Sequence, residues 1–378
     1  MMSKSFFVRT IGALSYVMFI HAVLATPAVS DLKVTPIEPI GLAIDYNVSG
    51  ATEDDLARYQ LNISMSAGGM NYLPQTLIGA TNCVNGAHRV YWNVAKDGIT
   101  LGETDLNVMV TYKHIPCYCV IDLSNGSEAS GYPVTYLDAP PSGGFNTTEY
   151  KTTKLVLKRV DAGTFKMGNS KVVTLTKAFY MGLYEVTQKQ WELVMGSNPS
   201  YYSGEANPVE KVSYNMIRGS SEGAKWPAAN SVDSTSFLGK LRARTGIDFD
   251  LPTEAQWEYT CRAGTTTTYS YGDSANGDYM WYYDNSSDDS PKEVGTKKAN
   301  PWGFYDMHGN VWEWCLDWYG SSLSGGEDPV GSSSGSYRVL RGGSWFNDAS
   351  ICTSSYRLSH SPSGYNGSYG FRLSRTLP

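Results

Sequence analysis

Beyond Arg262 the chain continues for over a hundred residues with almost no helical pattern, in a stretch dominated by Gly, Asn, Ser and aromatic side chains. Backbone groups in such a stretch must be satisfied in turns and ordered loops, and its aromatics must supply the core. Helix signals are confined to the residues before it. Thr187 and Gln190 form a capping-box pattern ahead of QKQWELVMG, closed by Gly196. SVDSTSFLGKLRARTG places Phe237, Leu238 and Leu241 on one face and stops at Gly246. Pro252, Thr253 and Gln256 open a third helix, TEAQWEYTCRAG. A few helices beside long aromatic-rich loops predict an α+β domain with little regular structure.

The N-terminal part has a different pattern. LAIDYNVSG, LNISMS, HRVYWNVA and LNVMVTYK alternate apolar and polar residues and are separated by turn-rich pieces. This spacing predicts an all-β, immunoglobulin-like sandwich over 26–137, a spacer or adhesion module without a catalytic constellation. DAPPSGGFNTTEYK (138–151) has linker composition. Residues 152–378 form the second domain and hold nine of the ten tryptophans. At the start, Lys4 and Arg9 precede IGALSYVMFI, and Val23 and Ala25 occupy the −3 and −1 positions of a cleavage site. Residues 1–25 are therefore expected to be a signal peptide, with an uncleaved anchor as the alternative. The mature chain would be secreted, periplasmic or at the cell surface, with no membrane span after cleavage. A net charge of −6 gives no basic footprint for nucleic acid.

Export permits disulfides among Cys83, Cys117, Cys119, Cys261, Cys315 and Cys352. Cys117 and Cys119, two apart on a strand, share a face and are poorly placed to bond each other; either could reach Cys83. A metal site there is the alternative, but a second paired ligand cluster is lacking.

GTFKMGN (163–169), YEVTQKQWELVMG (184–196), NPVEKVSYN (207–215), LPTEAQWEY (251–259), GFYDMHGNVWEW (303–314), YRVLRGGSW (337–345) and GFRLSR (370–375) follow in this order. Together they resemble the formylglycine-generating enzyme family, the sulfatase-modifying-factor domains, over 152–378. The resemblance implies a variant of the C-type lectin fold. It also implies one of three roles: a copper-dependent oxidase acting on sulfatases, a non-haem iron enzyme, or a non-catalytic display scaffold diversified by a retroelement. Fold alone does not choose among them.

The oxidase needs two thiolates, because soft copper(I) is held by paired sulfurs. The resemblance places both after GGS, five residues apart, which here gives Asn347 and Cys352. Counting back from GFR instead, Arg357 matches a family arginine and Cys352 falls on neither position. Either register leaves the pair incomplete, so Cys352 is an active-site thiol only under the oxidase alternative. Otherwise it is a disulfide partner of Cys261 or Cys315, or a buried thiol. The iron enzyme needs clustered histidines, whereas this domain has only His308 and His360; His308 reads as a packed core residue.

YDMHGNVWE resembles the family's calcium loop. Carried over, Asp306 and Glu313 give carboxylates, and Gly309 and Val311 give backbone carbonyls, a hard-oxygen set that suits calcium. The alternative for Glu313 is a salt-bridging carboxylate between packed tryptophans.

From Phe346 to Tyr369 there is no Lys, Glu, Gln, Met or Trp. Two kinds of position interleave there. Trp345, Cys352, Ser354, Ser355, Tyr356, Arg357, Pro362 and Gly370-Phe371-Arg372-Leu373 read as framework. Phe346, Asn347, Asp348, Ile351, Leu358, Ser359, His360, Gly364, Tyr365, Asn366, Gly367, Ser368 and Tyr369 read as inserts. Every insert is reachable from an AAC-type codon with randomised adenines, and the missing residue types are not. The pattern resembles the variable region of the retroelement-diversified members. Tyr, Asn, Ser, Gly and His are also a paratope-like mix of aromatic contact and adaptable hydrogen bonding. The expectation is a binding surface for a protein or glycan, presented by an otherwise stable scaffold.

Overall fold

The computed structural model describes residues 27–377, apart from several short stretches between 38 and 105 and residues 287–289. The signal-peptide expectation and Cys83 lie outside the described residues.

The chain divides at Pro116 into two units. The first is all β. Strands β1 (Ala28–Ile37), β2 (Gly41–Ser49), β3 (Tyr59–Ala67), β4 (Met70–Tyr72), β5 (Leu77–Gly79), β6 (Gly86–Trp92) and β7 (Leu106–His114) form two antiparallel sheets, ordered β1-β2-β6-β5 and β4-β3-β7. Ile44, Val90 and Trp92 of the larger sheet share one apolar core with Ile63, Val108 and Val110 of the smaller. The alternating pattern in the sequence is this arrangement, one face of each strand turned into a common core.

The second unit begins at Cys117, not at residue 152. Strands β8 (Tyr118–Asp122) and β9 (Val134–Leu137), expected in the sandwich, join β10 (Lys154–Val160), β13 (Phe179–Gly182) and β19 (Ser374–Thr376) in the order β19-β13-β10-β8-β9. A strand-like run in the sequence does not name the sheet it joins, hence the misplaced boundary. The expected linker 138–151 ends in a short helix, α1 (Thr148–Thr152).

Strands β11 (Gly163–Met167), β12 (Lys171–Leu175) and β15 (Gly326–Glu327) make a small sheet. Another sheet, ordered β17-β16-β14-β18, uses β14 (Trp312–Trp318), β16 (Arg338–Arg341), β17 (Arg357–His360) and β18 (Tyr369–Gly370). The three predicted helices are present as α2 (Gln188–Met195), α4 (Phe237–Thr245) and α5 (Glu254–Arg262). Thr187 and Thr253 close their capping boxes, and Gly196 and Gly246 end their helices in the left-handed conformation. A further short helix, α3 (Tyr214–Arg218), carries no sequence signal beyond its Ser213 cap.

The core of this unit is aromatic. Trp191, Trp257 and Trp314 are almost wholly buried, as are the guanidinium groups of Arg218, Arg338, Arg341 and Arg372. Four buried cations need partners, and these partners shape the site.

Candidate binding surface

The segment after β16 is pinned from beneath. Gly342 and Gly343 turn the chain with φ of 99° and 77°. A Cβ at Gly343 would lie 2.5 Å from the Cys352 sulfur, so only glycine admits this approach. The buried Arg341 guanidinium donates to the carbonyls of Ser354 (2.8 Å), Ser355 (3.2 Å) and Tyr356 (2.9 Å), and pairs with Glu258 at 2.5 Å. Arg357 forks onto Glu254 of α5 at 2.5 and 2.7 Å. Bidentate pairs of this kind fix geometry as well as charge.

The insert positions are held mainly by their main-chain carbonyls. The Tyr283 N–H donates to Asn347 O (3.0 Å), Asn215 to Pro362 O (2.9 Å), Lys211 to Asn366 O (2.9 Å) and Trp312 to Ser368 O (2.8 Å). The Trp345 indole reaches Gly367 O at 3.2 Å and the Tyr269 hydroxyl reaches Ala349 O at 2.9 Å. Every residue type presents a carbonyl, proline included, so these bonds do not depend on which side chain is displayed.

Burial separates the two kinds of position only in part, since the framework residues Ser355, Arg357 and Pro362 are half-buried and Tyr356 is exposed. Trp345, Cys352, Ser354, Gly370, Phe371, Arg372 and Leu373 are buried. None of the insert residues is: Phe346, Asp348, Tyr365 and Asn366 are exposed, and Asn347, Ile351, Leu358, Ser359, His360, Gly364, Gly367, Ser368 and Tyr369 are half-buried. Phe346 and Tyr365 keep 60% and 61% of their surface in solvent. Leu358, Ser359 and His360 lie on β17, the edge of its sheet.

Sequence reasoning did not find the constant residues beside this surface. Tyr201, the most exposed large aromatic at 72%, packs edge-on against Tyr202, and Tyr202 in turn against Trp345 at 5.4 Å. Phe346 lies between Trp345 and Tyr283, with centroids 5.3 and 6.3 Å away. These residues come from parts of the chain far from 346–369, and no local pattern marks them. Asn347 also departs from its group. Its Oδ1 accepts from the Trp312 indole (2.9 Å) and the Ser344 hydroxyl (2.6 Å), which makes it partly framework.

Cys352 is a free, buried thiol, as are Cys261 and Cys315, so of the two structural alternatives, disulfide partner or buried thiol, the second is found. It packs among Tyr269, Met280 and Ala349, and burial pushes its thiol up to about 12. The reactive form of a cysteine is the thiolate, and this setting suppresses it. With the Asn347 oxygen engaged, no pair of soft donors is available to copper(I), and these residues do not fit that metal. His308 is buried and held neutral, pushed down to about 4 by burial. Its Nδ1 faces the Cys352 carbonyl at 2.7 Å, so Nε2 is the acceptor for Ser270 N–H and hydroxyl. Cys117 and Cys119 are also free.

The calcium loop is differently occupied. Glu313, expected to be a metal ligand, is instead the anion of a buried ion pair. Both its oxygens meet Arg372 at 2.6 Å, and the Trp257 indole adds a bond at 2.8 Å. A guanidinium already neutralises that carboxylate, the salt-bridging alternative expected for it. The Val311 N–H and the Asn310 amide bond Glu185, and Gly309 donates to Gly342 O. Asp306 accepts from Gly295 N–H at 2.7 Å through Oδ2, while its buried Oδ1 has no partner among the described residues. Burial raises its carboxyl to about 6. Among the described residues no group of three His, Cys, Asp or Glu side chains is placed to hold a metal, and no helix is long and apolar enough to cross a membrane.

These features define a C-type-lectin-like domain of the formylglycine-generating-enzyme type. The chain belongs to the family described as the sulfatase-modifying factor enzyme 1-like domain, whose model matches residues 145–377. Chaperone protein LppX of Paenibacillus barcinonensis is 32% identical over 255 residues, covering 57% of this chain and 88% of LppX. The formylglycine-generating enzyme of Streptomyces coelicolor is 36% identical over 141 residues, covering 32% of this chain and 45% of the enzyme. The chain thus spans less than half of that enzyme. Among solved structures, Treponema denticola variable protein 1 is similar with a TM-score of 0.50 and 28% identity, over 60% of this chain and 96% of that one.

Proposed function

We propose that the second unit is a non-catalytic ligand-binding module that displays the insert residues of 346–369 to a protein or glycan. One observation carries this. Every insert position is at least partly exposed, whereas Cys352 and Ser354 within the segment and Trp345 and Gly370 to Leu373 at its ends are buried, and main-chain carbonyls of the segment accept from the surrounding fold. A surface built this way exchanges contact chemistry without exchanging fold. The likeness to a protein named as variable supports the same reading. We further propose export, diversification of the insert codons by a retroelement, and an immunoglobulin-like spacer role for the first unit. Calcium enters only through Asp306, whose free oxygen is the available hard ligand; a calcium-dependent rise in Tm that Asp306→Asn removes would assign it there.

The test is a display library. Randomising the insert codons as NNC should leave most clones folded, and selection on immobilised proteins and glycans should yield binders. Randomising the framework codons should leave few clones folded. Equal loss of fold in both libraries, or no binders from the first, would refute the proposal.

A further inference from the structure

Beneath the insert loop 364–369 lies a carboxylate with one oxygen unused. Glu210 is fully buried. Its Oε1 accepts the N–H groups of Tyr201 and Tyr202, the latter at 2.8 Å. Its Oε2 has no hydrogen-bond partner among the described residues. The adjacent Lys211, in the left-handed region at φ 57°, ties this segment to the loop through its N–H bond to Asn366 O. Leaving a buried acceptor unpaired is unfavourable, the more so when it is charged.

The nearest loop residue is Gly367. A Cβ built there would lie 3.7 Å from Glu210 Oε2 and 3.3 Å from Tyr202 Cε2. Gly367 does not adopt the left-handed conformation, so an L side chain suits its backbone. The Tyr202 ring would have to yield by a few tenths of an ångström. One bond beyond that Cβ, a hydroxyl comes within hydrogen-bond reach of Oε2. A hydroxyl can donate to a carboxylate or accept from a carboxylic acid, so it satisfies Glu210 in either state.

Resting on the binding reading above, we propose that Glu210 is a positioning residue that reads insert position 367. A hydroxyl side chain at 367 bonds its free oxygen and locks the loop; glycine or an apolar residue leaves the loop without that bond. The insert sequence then sets the rigidity of the loop as well as its contacts. Locked variants are preorganised, which slows dissociation of whatever they bind.

The test needs no ligand. Amide hydrogen exchange at 367–369 is compared in the full chain within two near-isosteric pairs, Gly367→Ser against Gly367→Ala and Gly367→Thr against Gly367→Val. The hydroxyl member should exchange about fivefold to tenfold more slowly in each pair, the equivalent of one net hydrogen bond. Equal exchange within either pair overturns the proposal. Loss of fold in all four variants, which would show position 367 closed to side chains, overturns it as well. Either failure leaves the binding surface itself untouched, and a failure to find a ligand leaves the exchange result standing.

Discussion

The side-chain oxygen of Asn347 accepts the indole N–H of Trp312 at 2.9 Å. One of the expected insert positions is thereby tied to a buried tryptophan on an inner strand of the four-stranded sheet. Asn347→Ala would leave that buried N–H unpaired and should cost about 1–3 kcal/mol in denaturant unfolding. The neighbouring Phe346→Ala, at an exposed ring, should stay within about 0.5 kcal/mol. Equal effects of the two substitutions would show that position 347 belongs with the other inserts.

The approach of Gly343 to Cys352 makes two further expectations. Gly343→Ala places a methyl on the sulfur in a left-handed backbone, and overpacking with strain should cost about 1–3 kcal/mol or more. The Cys352 thiol itself should resist maleimide in the native protein and react only after denaturation, as followed by mass spectrometry. Rapid native labelling would contradict the burial described for it.

Glu313 and Arg372 are both fully enclosed. Arg372→Met should cost about 3–5 kcal/mol, because it strands a buried carboxylate beside Glu185 and Asp306. Combining Arg372→Met with Glu313→Gln should recover part of that loss. A purely additive double variant, measured by a thermodynamic cycle, would show that the pair does not act as a unit.

Asp317 gives a pH dependence of definite sign. Burial and the nearby Glu254 raise its carboxyl to about 7 from an ordinary value of 3.8. The folded state therefore holds this proton more tightly than the unfolded chain does. Its stabilising contribution is complete below about 3.8 and is lost as pH rises toward about 7. Asp317→Asn keeps an acceptor for the Glu254 N–H and has no proton to lose. The variant should gain on the native protein by on the order of 3–4 kcal/mol between pH 4 and pH 8. A gap that does not change with pH would refute the shifted carboxyl.

What could be read in the sequence was local. The capping boxes at Thr187 and Thr253 and the glycine stops at Gly196 and Gly246 depend on residues within one turn, and all are found in the structure. The ordered motifs gave the family, and every expected insert position after Trp345 keeps some exposure. What failed was non-local. Strands β8 and β9 follow the sandwich strands in sequence, yet register places β8 beside β10 and β9 beside β8. Glu313 belongs to a motif that resembles a calcium site, but it sits on β14 and its partner Arg372 is 59 positions away. Tyr201, Tyr202 and Glu210 reach the insert loop only through the fold. Pairing across such distances leaves no periodic trace for a single sequence to show.

The carbonyl grip on the insert segment also bears on how such a protein changes over generations. On the proposed display reading, contacts that ignore side-chain identity would make neighbouring sequences interchangeable at nearly constant stability, so a lineage could cross many surfaces without passing through an unfolded ancestor. Recombination between two distant variants would give viable offspring for the same reason. The places where that freedom ends are marked physically: at Asn347, where a tryptophan answers to one side chain, and at Gly364, where a new Cβ would strike the ring of His360 and the two positions must change together.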